Sequence, residues 1–168
     1  MTDPEQVRRA AHDELVSTDG AWAGGEQAVT GFLRRVVADL HRTPTTVVEH
    51  AEFGHHGSGT SSFVAVSLAR RDGDRADHLL LCLSRSAPFA ALFTGTHGFP
   101  QLNRAAMPPV PGWERECGDL VRVLDRHGVE LLSPPALAQP IDSAIRIDTF
   151  FTDRAPYTVF DAWFHWND

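Results

Sequence analysis

The sequence predicts an α+β fold in which helices pack on one face of an antiparallel sheet of about four to six strands. Three observations favour it. The first forty residues carry apolar side chains at helical spacing, residues 45–94 are rich in β-branched and alternating segments, and helical spacing returns at 114–127. The 168 residues, 42% hydrophobic and 22% charged, are typical of one globular domain, so a single α+β domain over residues 1–168 is expected.

Two helices are expected ahead of the sheet. Asp3 followed by Pro4 marks a helix start, because an Asp side chain caps free amide groups and proline suits the first helical position. A second helix is predicted from about Glu26 to His41, and Pro44 ends it. Its apolar face consists of Val29, Phe32, Leu33, Val36, Val37 and Leu40.

Four strands are predicted in the middle of the chain, because the hydrophobic period changes there. They cover residues 45–53, 61–69, 78–84 and 89–94. The pair Asp72-Gly73 lies between the second and third strands and is a common hairpin turn. Consecutive strands of this kind are most simply joined as an antiparallel meander.

The last part of the chain combines loops with shorter elements. Residues 95–112 are rich in glycine and proline and predict a long loop, of the kind that is often functional and that leaves a lid over a small-ligand pocket open as an alternative. A helix over 114–127 follows, then a short strand at 129–132 and an alternating strand at 143–151. Pro156 is expected to open a terminal helix.

The charged residues exclude several kinds of chemistry. All 15 basic residues are arginine, and a chain without lysine has no Schiff-base nucleophile, no pyridoxal-phosphate anchor and no P-loop lysine. The net charge is −7 and the arginines are scattered, so no nucleic-acid partner is expected. No apolar run is long enough to span a membrane and the first residues are polar, so we expect no membrane association and a cytoplasmic location.

A cluster of potential metal ligands lies at the end of the first predicted strand. It consists of His50, Glu52, His55 and His56. Alternate residues of a strand share a face, so His50 and Glu52 are expected side by side, and imidazole with carboxylate suits zinc or non-haem iron. The spacing is not that of a known ligand motif, and a polar strand end with a mobile histidine-bearing loop is the favoured explanation. The two cysteines, Cys82 and Cys117, have no zinc or redox spacing, and no cofactor is expected outside this alternative.

The C-terminal segment YTVFDAWFHWND is unusually aromatic and has two interpretations. In the first it closes the core, with Phe160 and Phe164 as the main core residues, because large aromatic side chains bury much apolar surface. In the second it forms an exposed surface for a protein partner, since Trp and Tyr are common at interface hot spots. That surface would consist of Tyr157, Asp161, Trp163, His165 and Trp166.

The last third of the chain also resembles a known group of proteins. The run LVRVLDRHGVELLSPPALAQPI, read as helix, glycine, short strand and proline-bearing turn, and the ending TVFDAWFHWND are similar to small bacterial immunity proteins of polymorphic toxin systems. The resemblance implies a cytoplasmic, non-enzymatic protein that binds and neutralises a cognate toxin. An acidic surface fits this function, because it would steer association with a basic toxin domain. The alternative is a metal-dependent enzyme or metal-binding domain that uses the histidine cluster. No feature of the sequence predicts an oligomeric state.

Overall fold

The fold of this chain, taken from a computed structural model, is α+β as the sequence predicts. The structure describes residues 3–54, 60–73, 77–95, 99–149 and 156–167. The helices are α1 (Pro4–Ala11), α2 (Glu26–His41), α3 (Glu114–Arg126), α4 (Pro134–Leu137) and α5 (Val159–Trp163). The strands are β1 (Thr46–Glu52), β2 (Thr60–Ser61), β3 (Phe63–Arg70), β4 (Leu79–Ser84), β5 (Phe89–Thr94), β6 (Ala105–Ala106), β7 (Glu130–Leu131) and β8 (Trp166–Asn167). Within these ranges, no helix combines the length and the apolar character needed to cross a membrane.

The helix boundaries follow from local capping chemistry. The Asp3 carboxylate accepts a hydrogen bond of 2.9 Å from the backbone N–H of Glu5, so it caps α1, and Pro4 takes the first helical position. Gly25 precedes α2 with a φ of +79°, a backbone conformation that residues with a Cβ atom rarely adopt. Helix α3 ends before Gly128, which has a φ of +66°. The predicted limits of α2 and α3 are thereby confirmed to within a residue.

The main sheet is a meander with two short additions at one edge. Strands β1, β3, β4 and β5 are antiparallel neighbours in chain order, as predicted. Strand β6 pairs with the end of β5 in antiparallel fashion, and β7 pairs with the start of β5 in parallel fashion. The register of β1 against β3 shifts between Val48 and His50, which marks a β-bulge. A separate pair, β2 with β8, joins the start of the second predicted strand to the C-terminal segment.

The helices cover both faces of this sheet, whereas the sequence analysis expected them on one face. Side chains of β4 alternate between two apolar clusters: Leu81 faces α2 and α3, and Leu80 faces α1, α4 and α5. Both leucines are 0% exposed. The reason is visible in the strand LLLCLS, because a strand that is apolar on both sides needs a layer of structure on each.

The predicted strand over 143–151 is wrong for residues 143–149, which form turn and loop. Ile147 is buried beside Val7 of α1 and beside α5, and Ile145 packs against the same cluster. The alternation of apolar residues therefore reflects packing on a helix instead of pairing in a sheet. The remaining residues of that prediction lie outside the described part of the chain.

Candidate functional site

Helix α5 carries the C-terminal aromatic residues onto the second face of the sheet. It begins with a capping box, in which the Thr158 backbone N–H donates to the Asp161 carboxylate at 2.7 Å and the Thr158 hydroxyl oxygen accepts from the Asp161 backbone N–H at 3.4 Å. Trp163 is 0% exposed, and its ring meets Phe89 of β5 edge to face, with ring centroids 4.8 Å apart. This cap and this packing fix the helix against the sheet.

Four of the five residues predicted to form a partner-binding surface are buried, and only Tyr157 is partly exposed. The buried four are Asp161, Trp163, His165 and Trp166. The prediction of an exposed aromatic surface is therefore wrong for these four side chains. Core closure by Phe160 and Phe164 is confirmed, since their exposed fractions are 3% and 0%. The physical reason is the apolar second face of the sheet, which this segment covers.

His165 connects the C-terminal segment to the turn after α1 and to Ser62, which precedes β3. Its Nε2 lies 2.9 Å from a carboxylate oxygen of Asp13, and its Nδ1 lies 3.1 Å from the carbonyl oxygen of Ala162. Its backbone N–H donates to the Ser62 hydroxyl at 2.9 Å. A side chain that is 1% exposed and bonded on both ring nitrogens has a structural role here.

The candidate metal ligands are only partly brought together. The His50 Nε2 and Glu52 Oε2 atoms lie 3.3 Å apart on β1, which confirms that these two residues share a face. His55 and His56 lie outside the described residues. Among the residues that the structure does describe, no group of three or more His, Cys, Asp or Glu side chains is arranged to hold a metal ion.

The cysteine thiols are held in their protonated form. Burial raises the pKa of Cys82 well above its usual value, and burial also raises the pKa of Cys117. Both side chains are buried and neither forms a disulfide. A buried, protonated thiol is a packing group and a poor nucleophile.

A groove with an acidic rim lies along one edge of the sheet, and we call it the acidic groove. It has a volume of about 580 Å³ and is open to solvent. The segment after β6, the outer side of α3 and strand β7 form its walls. Its lining residues are Met107, Pro108, Pro109, Glu114, Cys117, Gly118, Val121, Asp125, Glu130 and Leu131.

The charge of the acidic groove is one-sided. Three carboxylates line it, from Glu114, Asp125 and Glu130, and no basic side chain is among its lining residues in the described chain. The backbone N–H groups of Glu114 itself and of Gly112 lower the pKa of the Glu114 carboxyl, so this group is ionised at neutral pH. A fixed negative charge therefore stands at the start of α3, where helix amide groups also favour it.

The apolar lining residues of the acidic groove, which we call its floor, include a flexible side chain. Met107 is 45% exposed and is one of two large hydrophobic side chains that remain exposed in the described residues. Exposed apolar groups with a polar rim are typical of interaction sites, and methionine adapts its shape to a partner. The sequence predicts a loop at residues 95–112 of a kind that is often functional, but the residues of α3 were not predicted to belong to a site. Their signal was the spacing of Glu114, Val121 and Asp125, which places them on one helix face.

An acidic rim around an apolar floor suits a partner that combines basic and apolar side chains. The carboxylates accept charge-assisted hydrogen bonds, and the floor accepts aliphatic or aromatic groups. No protein-family model, no curated protein and no solved structure matches this chain. Its function is therefore inferred from the chemistry of these described residues.

Proposed function

We propose that the protein is a non-enzymatic, cytoplasmic binding protein of the immunity type, which neutralises a cognate toxin by holding a basic and apolar segment of it in the acidic groove. The observation that carries this proposal is the exposed Met107 at the floor of a groove with three carboxylates. The resemblance of the C-terminal third to immunity proteins supports the kind of partner.

The charge of the chain supports rapid association with such a toxin. The net charge is −7, and the rim residues concentrate part of it at one place. Electrostatic steering of this kind raises association rates about 10- to 1000-fold at low salt. An inhibitor needs this speed, because it must capture its toxin before the toxin meets its target.

The apolar floor supports a long-lived complex. Affinity in protein interfaces comes mainly from a few buried side chains, and the surrounding charges set orientation and association rate. Met107 and Val121 offer such contact area among the lining residues of the groove, together with the three carboxylates. Trp163 and Trp166 do not contribute, because both side chains are buried within the fold.

Co-expression with a basic toxin domain encoded beside this gene tests the proposal. The groove variant carries E114Q, D125N and E130Q, which keep side-chain shape and raise the net charge from −7 to −4. The matched control carries D19N, D72N and D148N, which change the charge equally at exposed positions outside the groove. We expect the wild type and the control to restore growth, and the groove variant to fail.

Binding of the purified proteins gives the quantitative result. Calorimetry should show an affinity that weakens by about tenfold or more in the groove variant and that falls as salt rises. The single variant M107A should weaken binding without changing the salt dependence. Equal affinity of the groove variant and the control would overturn the assignment of this groove. Failure of the wild-type protein to bind any neighbouring toxin domain would overturn the immunity function.

A further inference from the structure

A second cavity, away from the acidic groove, lies between the start of α2, the turn after α1 and the turn that joins β4 to β5. We call it the Arg85 cleft. Its volume is about 440 Å³, which is within the range of small-ligand sites. Both acidic and basic side chains line it, together with aliphatic groups and hydroxyls. This mixture distinguishes it from the acidic groove.

The Arg85 guanidinium is incompletely paired. One of its terminal nitrogens donates to the carbonyl oxygen of Phe53 at 2.8 Å. Its Nε is buried and has no hydrogen-bond partner, and no carboxylate forms an ion pair with it among the described residues. Burial lowers the pKa of Arg85, because its surroundings solvate the charge less well than water does. Arg85 is partly buried, and cations removed from water are normally paired, so a ligand anion would complete this site.

Two carboxylates restrict the kind of anion that fits. Glu26 at the start of α2 and Asp13 after α1 also line the cleft, and the charges of Glu26 and Glu52 act on Arg85. The Asp13 carboxylate also lies 2.9 Å from the Nε2 of His165 on its other side. Asp13 adopts a φ of +57°, a conformation that non-glycine residues rarely take and that is common at ligand sites. Two negative groups beside one positive group repel a simple anion. A ligand that also carries a positive charge satisfies both.

The remaining lining of the cleft combines two aliphatic side chains with five hydroxyl-bearing residues. The aliphatic pair is Leu15 and Val29, and Val29 is 2% exposed. The hydroxyls belong to Thr30, Thr60, Ser61, Ser62 and Ser86. The Ser86 hydroxyl is at the same cleft and offers both a donor and an acceptor. The cleft therefore presents a cation, two anions and a small apolar wall within one volume.

We propose that the Arg85 cleft binds a small aliphatic zwitterion, of the class of free α-amino acids. Its carboxylate pairs with Arg85, its ammonium group lies toward Glu26 and Asp13, and its side chain packs on Leu15 and Val29. Arginine suits this role because its planar guanidinium binds a carboxylate with two parallel hydrogen bonds. The site does not depend on the proposed inhibition of a toxin, because its lining shares no residue with the acidic groove.

Three probes of one carbon skeleton test the proposal by NMR titration of the ¹⁵N-labelled full chain. L-Leucine carries both charges, 4-methylpentanoate lacks the amine, and 3-methylbutylamine lacks the carboxylate. We expect leucine to bind about tenfold more tightly than either analogue, with the largest shifts at the backbone amides that surround the cleft. No saturable shift with leucine at about 10 mM would overturn the proposal. Equal affinities for all three probes would also overturn it.

Charge variants assign the two ends of the ligand. R85Q should remove the preference for leucine over 3-methylbutylamine, and E26Q should remove the preference over 4-methylpentanoate. D148N, at an exposed position that lines neither site, should leave all three affinities unchanged. If R85Q does not fold, R85K provides the same test, because lysine keeps the charge and loses the paired hydrogen bonds, so leucine affinity should fall. Unchanged leucine binding in folded R85Q or R85K, or in E26Q, would contradict the assignment.

Discussion

Replacement of Trp163 by alanine tests whether the C-terminal segment is part of the core. Trp163 is 0% exposed and packs against Phe89 across the second face of the sheet. If the segment is structural, W163A must lower the free energy of unfolding by a large amount. If the side chain were a surface group for a partner, its loss would change stability very little.

The expected loss follows from buried area. A buried aromatic side chain removes about 150–250 Å² from water, and at about 25 cal/mol per Å² this corresponds to about 4–6 kcal/mol. That figure is an upper bound, since unfolded chains already bury part of this surface. The indole N–H of Trp163 is buried without a hydrogen-bond partner among the described residues, and its removal recovers about 1–3 kcal/mol. The net loss in W163A is therefore about 3 kcal/mol, at the low end of the range of about 3–5 kcal/mol found for such truncations.

Equilibrium urea unfolding, followed by circular dichroism, measures this loss. W163F keeps most of the ring contacts and removes the unsatisfied N–H, so its loss should be clearly smaller than that of W163A. M107A is the matched control, because Met107 is 45% exposed and its truncation should change stability by about 0.5 kcal/mol or less. A loss below about 1 kcal/mol in W163A would refute the structural role of this segment.

Two further substitutions test individual contacts. The pKa of the Asp39 carboxyl is lowered in the folded protein, and the hydrogen bond from His127 is the largest cause. The ionised carboxylate therefore stabilises the fold at pH values above its unfolded-state pKa of about 3.9. This stabilisation is lost as the pH falls through the lower pKa of the folded state. D39N should therefore lower the melting temperature near pH 7 and change it little near pH 2. The control D148N, at an exposed position, should show no such difference between the two pH values. Equal effects of D39N on the melting temperature at both pH values would contradict this reasoning. Loss of the α5 cap in T158A should lower the free energy of unfolding by about 1 kcal/mol in urea titrations, and no change would show that the contact with Asp161 is not stabilising.

Local signals explain why most of the fold could be predicted. The limits of α2 follow from helical spacing and from Pro44, and the central strands follow from β-branched and apolar runs. The failure at residues 143–149 has a physical cause, because Ile145 and Ile147 alternate while they pack on α1 and α5. Alternation of apolar residues indicates that one side of an extended segment is buried. It does not indicate whether a strand or a helix lies on that side.

The sites were harder to predict, because burial depends on contacts that are distant in sequence. His165 is buried, and its ring is bonded to Asp13, which lies 152 residues away in the chain. Arginine in a turn is ordinarily a surface residue. Arg85 is partly buried in the fold, where it donates to the carbonyl oxygen of Phe53, the residue after β1. The acidic face of α3 was within reach of helical periodicity, but its apolar partner Met107 joins it only in the folded chain.

The acidic groove and the Arg85 cleft are built on different helices, and this determines how any coupling between them must arise. The groove uses α3, and the cleft uses the start of α2. These helices meet where Asp39 lies 2.9 Å from the His127 ring and 3.6 Å from the Arg126 guanidinium. Distant sites without shared partners act additively, so an effect of leucine on toxin affinity requires a change transmitted through this contact or through the sheet. Linkage then demands that the toxin alter leucine affinity by the same factor, and D39N should reduce both effects together if the contact carries them.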